Sequence, residues 1–370
     1  MKISVLTRHA PTNYGSLLQT IATQKVLERL GCRVSIIDYV RKDETGLKGV
    51  LTQLRRKKKW SGNLLKKLLY ITLRYPSEKL AEIKFAALRR QSLNLTERFT
   101  TGAELEKYAS DSGNGIYMTG SDQVWGRVAD MNFDPAYFLD FVPQEKRRTA
   151  YAASFGKTEF TPEVLAECKK YLLRYNYITV RETSAVKILE EQGVPCMGQV
   201  LDPTLMMEPE EWGLSGQRTG KSRYVLVYQI HNNPCLDRYA KRFAKKAGLP
   251  LYRVSPSLHQ IRRGGRFVYL PGINKFLTLF RYAEYIITDS FHGTALSIYF
   301  NRQFIEILTD EKTSTRNLSI LKLTGLEWRI IKDYNDFSIM GRPVDYNPVN
   351  EKLRNERKNS LKFLSEMIAG

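Results

Sequence analysis

Short apolar runs recur along the chain, and most are followed by stretches whose apolar positions repeat at helical spacing. Residues 2–7 read as a strand. A turn region, Arg8 to Tyr14, leads to a helix that opens at Gly15-Ser16 and ends near Leu30, with Gly31 as its cap. Arg33–Tyr39 is the second strand. That order demands a parallel sheet with a right-handed crossover. Two or three helices are inserted next, over about 48–95. Strands then fall at 115–119, 148–154, 177–180 and 198–201, with helices at 162–175 and 183–191. After a polar link at 208–222 the rhythm restarts. Strands are expected at 224–229, 251–254, 285–288 and 303–307, and helices at 235–247, 275–281 and 294–299. An amphipathic helix over 350–368 closes the chain.

Two such blocks mean an α/β protein with two Rossmann-like, doubly wound domains. A length of 370 residues also exceeds what one core usually serves. The expected division is 1–208, carrying the inserted helices, then 222–335, then a tail over 336–370. Ligands of such sheets bind outside the carboxyl ends of the strands, so the cleft between the domains is the expected site.

Charge adds a feature that periodicity does not show. The net charge is +20, and the excess is concentrated between Arg41 and Phe99. Its centre is Arg55-Arg56-Lys57-Lys58-Lys59-Trp60, followed by Leu64-Leu65-Lys66-Lys67-Leu68-Leu69-Tyr70. Basic residues 55–74 on amphipathic helix suit an anionic membrane surface. No nucleic-acid motif accompanies them, so no nucleic-acid partner is expected. No apolar stretch is long enough to span a bilayer, and the N-terminus lacks the features of a signal peptide. The four cysteines are widely spaced and read as reduced thiols of a cytoplasmic protein.

Distinctive polar clusters fall at strand ends. Thr288-Asp289-Ser290-Phe291-His292-Gly293-Thr294 joins a buried strand to a helix. Ser290 can cap that helix, Gly293 admits close approach, and the free amides favour an anion. His292 can donate a proton there. Arg181 follows a strand directly, and its planar fork suits a carboxylate or phosphate. Gly120-Ser121-Asp122-Gln123-Val124-Trp125 sets a carboxylate, an amide and an indole where a sugar's hydroxyls and ring face could be read. Asn13-Tyr14-Gly15-Ser16-Leu17-Leu18-Gln19 lacks the three glycines of a dinucleotide loop. Asp202-Pro203-Thr204 serves equally well as a turn. His9, His231 and His259 have no partner pattern. Walker A, GxSxG, HExxH and DxD motifs are absent, so no metal and no bound cofactor are expected.

Taken in order, residues 13–19, 120–125, 151–156, 180–182, 201–204 and 290–293 resemble the polysaccharide pyruvyl transferase family. The resemblance implies a GT-B-like pair of domains, the first on the acceptor side and the second on the donor side. It implies transfer of a pyruvyl group from phosphoenolpyruvate onto two hydroxyls of a sugar, with release of phosphate. The acceptor would be a cell-surface glycan precursor carried on a lipid pyrophosphate at the inner membrane face. His292, Arg181 and Asp122 are then the catalytic candidates. Ser290, Phe291, Gly293 and Thr294 would bind the donor. Asn13, Tyr14, Gln19, Ser121, Gln123 and Trp125 would bind the acceptor. One position departs from the family pattern: Ser16 stands where many members carry an acid. Two alternatives stay open, a nucleotide-sugar glycosyltransferase and a non-catalytic glycan or lipid-carrier binder.

Overall fold

The computed structural model describes all residues except 56–62, 129–130, 215–222 and 309–313. The chain divides into two compact units, Met1–Pro203 with Lys362–Gly370, and Thr204–Leu361.

In unit 1 the order is β1 (Lys2–Leu6), α1 (Tyr14–Arg29), β2 (Arg33–Tyr39), α2 (Gly46–Arg55), α3 (Leu64–Ser92), β3 (Leu95–Phe99), α4 (Gly102–Asp111) and β4 (Ile116–Thr119). Then come β5 (Arg147–Ala153), α5 (Pro162–Leu172), β6 (Tyr177–Val180), α6 (Thr183–Glu191) and β7 (Gly198–Gln199). The strands form one parallel sheet in the order β3-β2-β1-β4-β5-β6-β7. The central strands are covered on both faces. This is why β4 is apolar almost throughout rather than alternating, with every residue buried. β3, which begins where the expected insertion ends, pairs with β2 at the sheet edge.

Unit 2 holds β8 (Val225–Tyr228), α7 (Pro234–Lys246), β9 (Leu251–Ser255), β10 (Arg266–Tyr269), α8 (Ile273–Tyr282), β11 (Tyr285–Thr288), α9 (Phe291–Tyr299), β12 (Gln303–Glu306) and α10 (Thr315–Thr324). Its parallel sheet runs β10-β9-β8-β11-β12. α7 shows how the sequence selects its inner face. Leu236, Tyr239, Ala240, Phe243 and Ala244 recur at helical spacing and are buried against the sheet. Burial of a side chain such as Phe243 contributes about 1.5–3 kcal/mol. α11 (Tyr346–Ala369) spans the division, its last turns grouping with unit 1.

Both sheets reverse strand order beside their first strand, between β1 and β4 and between β8 and β11. Loops leaving those strands are where such sheets bind ligands. Among the described residues, no helix is long and apolar enough to cross a membrane.

Candidate functional site

In unit 1 the polar residues at the strand ends are wired together. Asn13 caps α1, accepting from the amides of Gly15 (2.7 Å) and Ser16 (3.4 Å). One turn in, Ser16 donates to Asp122 Oδ2 at 2.6 Å. An acid at position 16 would instead face Asp122 with like charge. Asp122 holds a left-handed backbone, φ +81°, and accepts from the amide of Gln123 at 2.8 Å. Such a conformation costs on the order of 1–3 kcal/mol outside glycine and is least costly for Asp and Asn.

Arg181 leaves β6 and lies under Asp122. Its Nη1 meets Asp202 Oδ2 at 2.5 Å and Ser121 Oγ at 3.4 Å, while Nη2 lies 3.7 Å from Asp122 Oδ1. Burial works against the charge, but Asp202, Asp122 and Glu182 outweigh it and hold the guanidinium protonated. Arg181, whose fork the sequence offers to a carboxylate or phosphate, is buried and engaged by the protein's own carboxylates. Asp202, which the sequence leaves equally a turn, is its closest partner. Beside them Ser154 donates to Glu182 at 2.7 Å. The Gly156 amide donates to the same hydroxyl at 3.0 Å, and Gly156 turns at φ +73° with the Gln123 side chain packed 2.5 Å from where a Cβ would stand.

The acceptor candidates separate into two groups. Asn13 and Gln123 reach the surface in part. Tyr14, Gln19, Ser121 and Trp125 do not. Tyr14 packs on Phe85 of α3, and Gln19 donates to Thr7, Thr20 and the carbonyl of Ser16. Trp125, expected at a sugar's face, is 0% exposed and sits among Phe138, Phe155 and Tyr175. An indole enclosed by three rings is core. The same two loops do border a cavity of about 240 Å³, lined by Arg8, Thr12, Glu44, Thr45, Thr52 and Arg127 among others. Arg8 and Glu44 pair across 2.7 Å. Nothing in the spacing singles these residues out, because Thr52 comes from the insertion and Glu44 from the segment leading into it.

In unit 2 the loop after β11 carries the other cluster. α9 begins at Phe291, with Ser290 as cap accepting from the Gly293 amide at 3.4 Å. His292 therefore lies in the first turn, 6% exposed. Gly293 has no room for a side chain: a Cβ would stand 2.1 Å from Thr288 Oγ1 and 2.9 Å from its Cβ. Asp289 does not face outward. It accepts from the amides of Ile230 (2.8 Å) and His231 (3.0 Å), tying the end of β11 to the loop after β8. Among the described residues, no group of three or more His, Cys, Asp or Glu side chains is placed to hold a metal ion.

The pattern of polysaccharide pyruvyl transferases matches residues 13–311. The chain belongs to the polysaccharide pyruvyl transferase family. No curated protein matches it by sequence. Among solved structures it is similar to the UDP-GlcNAc 2-epimerase of Neisseria meningitidis bound to UDP-GlcNAc, at 10% identity and TM-score 0.52, over 99% of each chain. It is also similar to the UDP-N-acetylglucosamine 2-epimerase of Rickettsia bellii, at 10% identity and TM-score 0.51, over 99% of this chain and 96% of that one. At such identity the likeness concerns the fold alone, and that fold is GT-B-like. In this family member, five of the six segments that carry the resemblance meet in the buried network around Arg181.

Behind α9 of this pyruvyl transferase family member lies Glu306, fully buried at the end of β12. Thr294 contacts it, and Asn317 donates to Oε1 at 2.7 Å. Thr294 has one hydroxyl hydrogen but two acceptor neighbours, the other being the carbonyl of Ser290 at 3.1 Å. A protonated Glu306 that donates to Thr294 satisfies both contacts. Burial pushes this carboxyl up to about 8, against the hydrogen bonds of Thr294 and Asn317. In the unfolded chain it titrates at about 4.3. The folded state thus keeps a proton the unfolded chain releases, a stabilisation complete below about pH 4.3 and lost as pH rises through about 8. Gln reproduces the protonated pattern without titrating. Glu306→Gln should therefore gain Tm over the parent between pH 6 and pH 9, by roughly 3 °C or more. Thermal melts across that range check this, and parallel Tm curves would show that Glu306 does not titrate there.

Proposed function

We propose that this protein moves the pyruvyl group of phosphoenolpyruvate onto two hydroxyls of a cell-surface polysaccharide precursor sugar, forming a cyclic ketal and releasing phosphate. The observation that carries the reading is His292 in the first turn of α9, beside backbone amides and a glycine with no room for a Cβ. A helix start binds the phosphate and carboxylate of the donor, with Ser290, Phe291 and Gly293 forming its wall and Thr294 turned behind it to Glu306.

The reaction balances as follows. His292 protonates the methylene carbon of phosphoenolpyruvate, and C2 becomes cationic. One sugar hydroxyl adds to C2 and loses its proton. A second hydroxyl then displaces phosphate from C2 and loses its own proton, closing the ketal. Asp122 is the candidate base for one of these protons, held in place by Ser16 and Arg181. The acceptor sugar fits the polar cavity beside Thr12 and Arg127, whose volume suits one monosaccharide.

The test is phosphate release by the purified protein with phosphoenolpyruvate and a panel of glycan acceptors. Release should require both substrates. UDP release from a nucleotide sugar, with none of phosphate from phosphoenolpyruvate, would replace the proposal with glycosyl transfer.

A further inference from the structure

The insertion carries a feature that pyruvyl transfer does not use. α3 exposes Leu64, Leu65, Leu68, Leu69 and Leu73, each between 50% and 81% accessible. At about 100° per residue these leucines sweep one half of the helix circumference. Tyr70, Ala81, Phe85 and Leu88, all buried, fall on the other half. The outward face of α3 is thus as apolar as an inward one, and no described residue covers it. α2 adds the exposed Leu47 and Leu51. The two helices pack on each other through Val50, Leu54 and Tyr70, with Ile71 and Tyr75.

Charge selects the occupant. From Gly46 to Ser77 the sequence has nine Lys and Arg and no Asp or Glu. Lys48 on α2 and Lys66 on α3 lie within the apolar stretches themselves. Two copies of such a surface repel each other, whereas an anionic bilayer attracts the cations and accepts the leucines. Of the central basic run that the sequence also points to, residues 56–59 lie outside the described residues, while Lys48, Arg55, Lys66, Lys67 and Arg74 belong to the helices either side of it.

We infer that the α2–α3 hairpin is a membrane-docking element, seated on an anionic lipid surface through the outward leucines of α3. The docking does not depend on the reaction. It does bear on the acceptor, and there it rests on the function proposed above. α2 supplies Gly49 and Thr52 to the polar cavity. The helix pair that meets the lipid therefore also walls the cavity, an arrangement suited to a sugar carried on a membrane lipid.

Co-sedimentation with phosphatidylcholine vesicles, with and without phosphatidylglycerol, tests this on the full chain. The protein should bind only the anionic vesicles and release as salt is raised. The variant Leu64→Ser/Leu65→Ser/Leu68→Ser/Leu69→Ser should lose about ten-fold or more in vesicle affinity. Lys66→Glu/Lys67→Glu should lose several-fold and respond less to salt. All six side chains are at least partly exposed, so Tm should not move. Turnover of a lipid-free acceptor should also be unchanged in the serine variant, which separates failure of docking from failure of the reaction. Equal vesicle binding by parent and serine variant would overturn the inference. So would an absence of binding to anionic vesicles, or a dimer that the serine variant abolishes while vesicles stay unbound.

Discussion

Replacing His292 with Asn should lower kcat for phosphate release from phosphoenolpyruvate by about a hundred- to ten-thousand-fold, the usual worth of a positioned general acid. Adding an alcohol to an enol ether is slow until the methylene carbon is protonated, so removing the acid acts on the chemical step. The helix start that would bind the donor is left in place. Ser290 still caps α9 and Gly293 still packs its backbone closely on Thr288. KM for phosphoenolpyruvate should therefore change little, because Asn keeps a hydrogen-bonding side chain of similar reach. Tm should fall by little at most, since Asn keeps a smaller polar side chain at the buried position where His292 packs edge-on against Phe291. Steady-state kinetics with a thermal melt on the same preparation check all three expectations. Near-normal kcat would remove His292 from the chemistry. A large fall in Tm alongside kcat would assign the loss to the fold.

Much of this architecture is legible in the sequence, because the signal is burial. β6 and β11 are short apolar runs between a helix end and a polar cluster, and their expected bounds match the observed ones. β3 and β10 escape the same reading. Both are edge strands with much of their surface open, so their sequences, Leu95–Phe99 and Arg266–Tyr269, mix charge with apolar residues. α4 did leave a mark, the capping box of Thr101 and Glu104, which weighs little beside a strongly charged insertion. At the site, residue type and position single out loops but not which way a side chain turns. Trp125 and Gln123 are two residues apart in one loop, yet one is core and the other reaches solvent. Likewise Asp202 meets Arg181 only because β7 pairs with β6, a contact no local spacing encodes.

Arg181→Ala should destabilise unit 1 by about 3–5 kcal/mol, the cost of removing one partner from a buried ion pair. The guanidinium is 1% exposed and Asp202 is 0% exposed, at 2.5 Å. Removing the cation leaves Asp202, and behind it Asp122, as carboxylates with little access to water. Ser121 would still offer Asp202 its hydroxyl at 3.3 Å, but a neutral donor does not replace a charge. The double variant Arg181→Ala/Asp202→Ala should recover part of the loss, because it removes the stranded charge along with its partner. Recovery by the double variant, read in Tm, is the expected result; additive losses would show that the pair contributes independently. Arg181→Lys then separates structure from chemistry. It keeps the cation near Asp202 but loses the fork that also reaches Asp122. Calorimetric titration of that variant with phosphoenolpyruvate should show unchanged donor affinity if Arg181 acts by positioning the two carboxylates. A lost affinity in a protein of unchanged Tm would mean instead that the guanidinium turns from Asp202 to the donor. Arg181 would then be the moving part of the site.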